Sequence, residues 1–425
     1  MTIYQADWVC PISSPPVRNG AIAVRDGRIV SVGPAEMASG PEERLVYRGC
    51  ALIPGFVDAH THIELTLFKG LLEGLSFSEW ISRLVRMKYH LCTREDFEAS
   101  ARLGAMEMLQ AGITTLGEVM DIGTGWEAMA EFGLRGIAYQ EVFGPAADSA
   151  SESLRSLRDK VHHLRGSETV TRKIGVSPHA PYTVSKPLFE SVRDFARAER
   201  LRMTSHTAES KAEVSFVRDG EGPFADSHRR RGIPILKHNC SPIAYLDSLG
   251  LLGPDMLVVH SIEVDGHDLD RLRETGTFVV HCPKSNAVLG HGVADVAGMW
   301  RRGVTVALGT DSDASNDSID MFAEMREAWS QQHLSFEEAF RMATLNGARA
   351  LGLDHEVGSL EPGKLADFSV AELKGSLSDP LEDMVRFGSR SDVGATFIGG
   401  REIRVESLEL QEKLQHIRSR LKREI

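Results

Sequence analysis

ALIPGFVDAHTH, residues 51–62, is the stretch that decides the fold. Apolar and β-branched residues fill most of it, and it closes on two histidines, His60 and His62, separated by one threonine. A short apolar run of this kind predicts a buried strand of a parallel sheet. Because alternate residues of a strand point to the same face, both imidazoles are expected to enter one site at the carboxyl end of this strand.

Seven further short β-branched runs follow the first, and amphipathic segments separate them, which is the pattern of βα units. From His60 to Asp311, at the end of the eighth run, the chain covers about 250 residues, the length of a typical eight-stranded α/β barrel. A doubly wound open sheet is the alternative, but such a sheet usually has a glycine-rich turn after its first strand. Here that turn is His-Thr-His. The sequence therefore predicts an α/β fold, a (β/α)8 TIM-type barrel over residues 54–357.

The two ends of the chain have a different residue pattern, typical of short strands and turns. Residues 21–33, AIAVRDGRIVSVG, alternate β-branched residues around an Asp-Gly turn, as a hairpin does. Similar runs return near the other end, so we predict a small composite β-sandwich domain formed by residues 1–53 and 358–407. Residues 408–425 carry apolar residues at helical spacing and predict a C-terminal helix. Its apolar stripe fits either docking onto its own domain or a homodimer.

Composition and charge exclude several classes of partner. The 425 residues include 48 Lys and Arg against 60 Asp and Glu, a formal charge of −12, which disfavours nucleic acid and anionic membranes. No run approaches the roughly 18 apolar residues of a membrane span, and the N-terminus lacks the pattern of a signal peptide. Five cysteines without a CxxC pair indicate a reducing compartment. We therefore expect a cytoplasmic protein that binds a small molecule.

The candidate site consists of the polar residues that close the predicted strands, where the functional groups of such barrels lie. They are His60, His62, His179, His206, His260, His281 and Asp311. A single histidine on a strand is often a hydrogen-bonded core residue, and for His281 that interpretation is as good as a functional one. The pair at the end of the first strand instead indicates a divalent metal, zinc foremost, with Fe²⁺ or Mn²⁺ as alternatives. His206 and Asp311 would complete its ligands, although Asp311 could also cap a helix.

Two further residues suit proton transfer beside such a metal. Glu209 lies three residues after His206 and is either a solvated surface residue or a proton shuttle. His260 would lie near the attacking hydroxide and stabilise developing charge. The fourth run, KIGVSPHA, ends without the lysine that could bridge two metal ions, so we expect one metal.

The motifs GFVDAHTH, SHTAES, VVHS, VVHCPKSN and ALGTDSDASN resemble those of the amidohydrolase superfamily. The resemblance covers nearly the whole chain and is strongest to the branch of mononuclear-metal deaminases. HTHxE at 60–64, with YQEVFGP (139–145) and SPHAPYT (177–183), is more similar to aminofutalosine deaminases than to S-adenosylhomocysteine or methylthioadenosine deaminases.

The resemblance implies a role for each residue. The metal ligands would be His60, His62, His206 and Asp311. Asp311 would also take the proton from the metal-bound water, Glu209 would protonate the ring nitrogen, and His260 would assist the hydroxide. The implied substrate contacts are His179, Trp80, Glu64, Ser285 and Asn286. Trp80 could instead anchor its loop, and Glu64 could instead pair with Lys69.

The implied activity is hydrolytic release of ammonia from an aminated N-heterocycle. A 6-aminopurine nucleoside with a modified 5′ side is favoured, of the aminofutalosine, S-adenosylhomocysteine, methylthioadenosine or adenosine type. If that side carries a carboxylate, the candidate cations are Arg83, Arg86 and Lys88. The alternatives are guanine, cytosine or triazine hydrolysis at the same metal site, and a barrel scaffold without catalysis.

Overall fold

The strands of the protein lie in two sheets. The computed structural model describes residues 1–37, 43–375 and 378–424. The strands are β1 (Thr2–Val9), β2 (Val17–Arg25), β3 (Arg28–Pro34), β4 (Glu43–Pro54), β5 (Phe56–Thr61), β6 (Ile113–Met120), β7 (Arg135–Val142), β8 (Arg172–Pro178), β9 (Met203–Thr207), β10 (Met256–His260), β11 (Phe278–His281), β12 (Val306–Leu308), β13 (Phe368–Glu372), β14 (Val393–Ile398) and β15 (Arg401–Glu402).

Helices follow most of the strands. They are α1 (Phe77–His90), α2 (Arg94–Gln110), α3 (Thr124–Phe132), α4 (Ala150–Arg165), α5 (Lys186–Glu199), α6 (Lys211–Asp219), α7 (Pro223–Arg230), α8 (Pro242–Ser248), α9 (Gly266–Thr275), α10 (Pro283–Val288), α11 (Val296–Arg301), α12 (Met321–Gln332), α13 (Phe336–Met342), α14 (Leu345–Ala350), α15 (Pro380–Phe387) and α16 (Leu408–Glu424). Short 3-10 helices lie at Ala35–Met37, Ile63–Phe68, Ala147–Ser149 and Arg390–Asp392. None of the described helices is long and apolar enough to cross a membrane.

Strands β5 to β12 form the parallel sheet of a barrel and follow one another in chain order. The two outer strands meet through a backbone bridge between Thr61 and Asp311. Gly309 permits this approach, because a Cβ at that position would lie 2.7 Å from the carbonyl oxygen of His60. Every residue of β5, β6, β9, β10 and β12 is buried, as expected for strands covered on both faces. The predicted (β/α)8 barrel is confirmed.

Both chain ends contribute to the second sheet, a mixed sheet in the order β15-β14-β13-β4-β1-β2-β3. Only β1 and β4 pair in parallel among its described strands. Its core contains three packed rings, with the Tyr4 centroid 4.9 Å from that of Phe368 and 5.1 Å from that of Phe397. A separate sheet built from both termini is therefore confirmed. The boundaries proposed at residues 53/54 and 357/358 stay a prediction.

Helix α16 packs on the barrel side of the molecule, against α2 and the 3-10 helix Ile63–Phe68. The buried residues of its apolar stripe are Leu414, Ile417 and Leu421. Arg418 donates hydrogen bonds from its guanidinium to the carbonyl oxygens of Thr66 and Leu67. The stripe therefore lies against the protein's own barrel. Residue 425, the last of the predicted range 408–425, lies outside the described residues.

Capping side chains define the start of the two helices that follow β5. The Ser76 backbone N–H donates to the Glu79 carboxylate at the start of α1, at 3.1 Å. At the start of α2 the Thr93 hydroxyl oxygen accepts from the Asp96 backbone N–H, and the Asp96 carboxylate accepts from the Thr93 N–H. Such reciprocal pairs satisfy N–H groups that have no partner within a helix. The two capped starts mark α1 as a separate helix between β5, the first barrel strand, and α2.

A buried ion pair joins the terminal sheet to the amino end of the barrel. Arg135, the first residue of β7, donates two hydrogen bonds to Asp367, whose side chain is 1% exposed. Removing one partner of a buried pair leaves an uncompensated charge.

We expect Asp367→Ala to lower the free energy of unfolding by about 3 kcal/mol, measured by denaturant titration. Glu131→Ala, which breaks an exposed pair with Arg102, should cost less than about 1 kcal/mol. Equal losses would contradict this role.

Candidate metal and catalytic site

Four donor side chains converge at the carboxyl end of the barrel. They are His60, His62, His206 and Asp311. Each offers one nitrogen or oxygen, and these atoms all lie within 4.8 Å of one another. Nε2 of His60 and Nε2 of His62 each lie 3.6 Å from Oδ1 of Asp311. The structure thus brings together the four residues that the sequence predicts as ligands, and all four are buried.

The condition of the imidazoles fits a metal ion. Both ring nitrogens of His60 are buried without a hydrogen-bond partner among the described residues. A buried unsatisfied nitrogen costs about 1–3 kcal/mol, which coordination would offset. Burial lowers the pKa of His60 to about 4 and holds the pKa of His62 well below its usual value. Both rings are therefore neutral, the form that coordinates zinc through nitrogen.

Asp311 is held by neighbours on two sides. Its Oδ2 accepts hydrogen bonds from the hydroxyls of Ser285, at 2.6 Å, and Ser315, at 3.1 Å. Burial works to raise the pKa of Asp311, but the nearby imidazoles of His60, His260 and His62 hold that pKa well below the ordinary value. A carboxylate in this state is charged at neutral pH, as a metal ligand must be.

Glu209 lies on the loop after β9, between two histidines. Its Oε1 is 3.7 Å from Nε2 of His260 and 3.3 Å from Nε2 of His291. The pKa of Glu209 is lowered, since these histidines outweigh the effect of its burial. The loop itself is held by Glu213, whose carboxylate accepts the backbone N–H groups of Ala208 and Glu209. The alternative of a solvated surface residue is wrong, because Glu209 is 4% exposed.

Two residues of the site have left-handed backbone conformations. His260 has a φ of 73° and Asp311 a φ of 59°. Residues with side chains rarely adopt such angles, and they persist where the surrounding structure enforces them. His260 is the last residue of β10 and Asp311 lies three residues after the end of β12, so both left-handed residues lie at the carboxyl end of the barrel.

A second acidic group lies on the wall next to His206. Glu141, on β7, has its Oε1 4.0 Å from Nε2 of His179 and its Oε2 4.0 Å from Nζ of Lys88. Oε1 has no hydrogen-bond partner among the described residues. Burial, partly offset by Lys88, raises the pKa of Glu141 to about 8. Lys88 also lies 3.0 Å from the carboxylate of Asp121.

Glu141 and His179 also lie near enough to His206 to form a second group of donors. Nδ1 of His206, however, lies 3.1 Å from the carbonyl oxygen of His179. Only Nε2 of His206 is therefore left to coordinate, and one nitrogen serves one ion. The donors present fit a single metal.

A cavity of about 500 Å³ opens above these groups. One end holds Glu209, His260 and the metal-binding residues, and the other is lined by the helices α1 and α7. Trp80, which lies in α1 rather than on a loop, lines it and donates from Nε1 to the carbonyl oxygen of Ala314, at 3.0 Å, so it both faces the cavity and anchors α1. Apolar and aromatic side chains form most of the wall: Leu65, Phe77, Ile81, Leu84, Val85, Phe143, Tyr182, Phe224 and Leu289.

Glu64 lies outside this cavity lining. Its two carboxylate oxygens accept the backbone N–H groups of residues 121–125, at 2.7–3.2 Å. Lys69, the other suggested partner, pairs with Asp313 at 3.1 Å. We therefore correct the expected substrate contact: Glu64 holds the loop after β6, because its charge is already satisfied by five backbone donors.

Ser285 and Asn286 also lie outside the cavity lining. The Ser285 hydroxyl is bound to Asp311, and Oδ1 of Asn286 lies 2.9 Å from Nδ1 of His260. Asn286 also lies 3.4 Å from Nδ1 of His281, which is fully buried in the core. We therefore correct their expected position as well: Ser285 contacts Asp311 and Asn286 contacts His260, and neither lines the cavity.

The sequence did not identify Glu141 and His291. Glu141 lies within YQEVFGP and near the end of the third barrel strand, so its position was a usable signal. His291 lies on a loop after α10 and has no periodic pattern around it. Of the suggested cations, only Lys88 lines the cavity, while Arg83 and Arg86 line a separate outer groove.

The placement of Glu64 can be tested by substitution. Glu64→Gln should lower the free energy of unfolding by about 2–3 kcal/mol, because a neutral amide cannot accept five backbone N–H groups. Denaturant unfolding of the metal-loaded protein measures this. A residue that contacts only substrate would instead raise KM with stability unchanged, and that result would contradict the assignment. Glu98→Gln, at an exposed pair with Arg94, is the control and should change stability little.

Comparison with known proteins agrees with this geometry. The profile of the Amidohydrolase family matches residues 51–403. A 5-methylthioadenosine/S-adenosylhomocysteine deaminase of Syntrophobacter fumaroxidans is 31% identical over 423 residues, covering 94% of this chain and 92% of that protein. The crystal structure of an adenosine deaminase from Xanthomonas campestris with bound zinc has a TM-score of 0.87 and 28% identity, and covers 99% of this chain and 98% of its own.

The fold is also shared with the Helicobacter pylori aminofutalosine deaminase, with a TM-score of 0.83 and 23% identity, covering 95% of this chain and 100% of that one. At that identity the likeness concerns the fold alone. The profile match spans most of the chain, and the Syntrophobacter relative aligns along nearly all of it. The chain belongs to the amidohydrolase family.

Proposed function

We propose that the protein is a zinc-dependent hydrolytic deaminase of a 6-aminopurine nucleoside. The observation that carries this proposal is the meeting of the four metal-binding residues with Glu209 and His260 at one end of a largely apolar cavity. The deaminases among its relatives and neighbours support the same reaction. The donor set and the zinc-bound neighbour support one divalent metal ion, zinc.

The residues divide the chemistry among themselves. Zinc held here would act as a Lewis acid that lowers the pKa of water to about 7. Asp311 accepts the proton of the attacking water. Glu209, a carboxylate at rest, relays one proton of the water to the purine ring nitrogen, and the proton that Asp311 accepted passes to the leaving amino group, which departs as ammonia. His260, whose Nε2 is buried without a hydrogen-bond partner among the described residues, stabilises developing negative charge.

The cavity wall favours a planar base with a polar sugar. Aromatic side chains such as Trp80 and Phe77 provide faces for stacking. His179, whose Nδ1 is bound to the Thr183 hydroxyl at 2.8 Å, presents its other nitrogen toward Glu141. The unpartnered Oε1 of Glu141 suits a hydrogen bond from a substrate hydroxyl, because a buried carboxylate oxygen needs a donor.

The 5′ side of the substrate would lie toward α1 and α7. Lys88 is neutralised by Asp121 and so is poorly suited to bind a substrate carboxylate. Arg231, just after α7, lines the cavity and has no carboxylate partner within the described residues. A modified 5′ group that carries a carboxylate would therefore meet Arg231.

Location and assembly remain part of the proposal. The odd number of cysteines in the sequence supports a cytoplasmic location. We keep a homodimer as a proposal, with a small molecule as the ligand and neither nucleic acid nor membrane as a partner, in line with the net charge.

Two substitutions separate proton transfer from metal binding. Glu209→Gln should keep zinc but lose turnover by at least about 100-fold, because an amide cannot shuttle protons. His62→Ala should lose both zinc and turnover, since it removes a ligand. Elemental analysis and an ammonia-release assay on each purified variant measure these effects. Normal turnover by Glu209→Gln would show that the shuttle is misassigned.

A substrate panel tests the reaction itself. The zinc-loaded protein should release ammonia from 6-aminopurine nucleosides, fastest from one with a modified 5′ side, and not from guanine, cytosine or a triazine. Adenosine, 5′-methylthioadenosine, S-adenosylhomocysteine and aminofutalosine make up the panel. Release from none of the four would contradict the proposed function.

Within that panel Arg231→Gln gives a matched comparison. It should raise KM for the nucleosides that carry a carboxylate and leave KM for adenosine unchanged, since only the former gain from the guanidinium. An equal change in KM for all four nucleosides would show that Arg231 does not bind a carboxylate on the 5′ side.

A further inference from the structure

One short segment after β11 contacts the catalytic groups of three different strands. It begins with α10. The hydroxyl of Ser285 in this helix donates a hydrogen bond to the Asp311 carboxylate, and Oδ1 of Asn286 is hydrogen-bonded to Nδ1 of His260. The chain then turns at Gly290 and Gly292, whose φ angles of 68° and 106° suit glycine. The backbone N–H of His291, between these glycines, donates to the carbonyl oxygen of Asn286 at 3.0 Å. The turn therefore has a defined geometry, which brings the His291 side chain back over the site.

His291 makes one polar approach within the described residues. Its Nε2 is buried and lies 3.3 Å from Oε1 of Glu209, with a side chain 5% exposed. The ring also meets Phe77 edge-on, with centroids 4.4 Å apart. A buried N–H needs an acceptor, and the carboxylate of Glu209 is the one within reach.

We propose that His291 is a positioning residue for Glu209. The inference rests on the proposed function, because it assumes that Glu209 moves the protons. His260 and His291 flank Oε1 from two sides, at 3.7 Å and 3.3 Å. Oε2 of Glu209 is then the oxygen that meets the substrate. Its direction is fixed by the two contacts that His260 and His291 make with Oε1. Without His291, Glu209 keeps only the longer contact and samples other rotamers.

The same ring links the proton shuttle to the wall of the cavity. Phe77 is the first residue of α1, and its ring stacks on that of Trp80, with centroids 6.2 Å apart. It also meets Phe224 at the start of α7, at 6.1 Å. His291 therefore connects Glu209 with Phe77 of α1 and, through Phe77, with Phe224 of α7.

The test compares two substitutions of His291 in zinc-loaded protein. His291→Ala should lower kcat on the order of 10-fold, because a misplaced catalytic group slows the chemical step. KM and zinc content should stay within about twofold, since neither substrate nor metal touches the lost ring in this role. His291→Gln keeps an N–H donor and should recover most of kcat. His416→Ala, at an exposed histidine of α16, is the control and should behave as the unmodified protein.

A double substitution separates positioning from a general structural effect. In protein that already carries Glu209→Gln, adding His291→Ala should lower the residual kcat by less than twofold, because the group to be positioned is gone. A full 10-fold loss in that background would overturn the proposal, and so would loss of zinc or of folded protein in both His291 variants.

The outcome for the unmodified protein keeps the two proposals apart. If it releases no ammonia from any nucleoside, the proposed function fails. If it is active and His291→Ala is equally active, only the role of His291 fails.

Discussion

Closure of the barrel is the constraint on which the rest of the molecule depends. The backbone N–H of Asp311 donates to the carbonyl oxygen of His60 at 3.0 Å, and the N–H of His62 donates to the carbonyl oxygen of Asp311 at 3.2 Å. These two hydrogen bonds join the first and last barrel strands. They also set the distance between residues that are about 250 positions apart in the chain. Three of the four metal-binding residues therefore lie where the first and last barrel strands meet. The distances between their side chains depend on the same hydrogen bonds that close the barrel.

The site concentrates features that cost stability. Left-handed backbone at Asp311, unpartnered nitrogens on His60 and a buried pair at Glu141 would each be unfavourable in an ordinary core. The surrounding structure supports them with neutral donors and acceptors, such as the hydroxyl of Ser285 and the amide of Asn286. A metal ion would compensate for several of these costs at once, so metal binding and folding are expected to be coupled.

Much of the site was predictable because it follows two simple rules. Alternation along a strand and the position of functional groups in a barrel place His62, His206 and Asp311 without knowledge of any contact. Glu64 shows where these rules stop, because its partners are backbone N–H groups more than 50 residues away, on a loop with no sequence signature. His291 lies on a turn, and the direction of a turn depends on glycine φ angles, which no periodicity reveals. Sequence therefore identified the four donors that converge at the site, and missed many of the groups that hold the site residues in place.

The division of the cavity between barrel and helices has a consequence for how this protein could change. The reacting end is built on strand termini, which tolerate little alteration. The far wall comes from α1 and α7, two separate insertions between strands. Natural variation could alter those insertions and so change which 5′ substituent of the nucleoside the cavity accepts, while the reaction stays the same. The exception is the Lys88–Asp121 pair, which ties α1 to the loop held by Glu64. Replacing one residue of the pair alone would leave the charge of the other less compensated in a largely buried position, so the two are expected to change together.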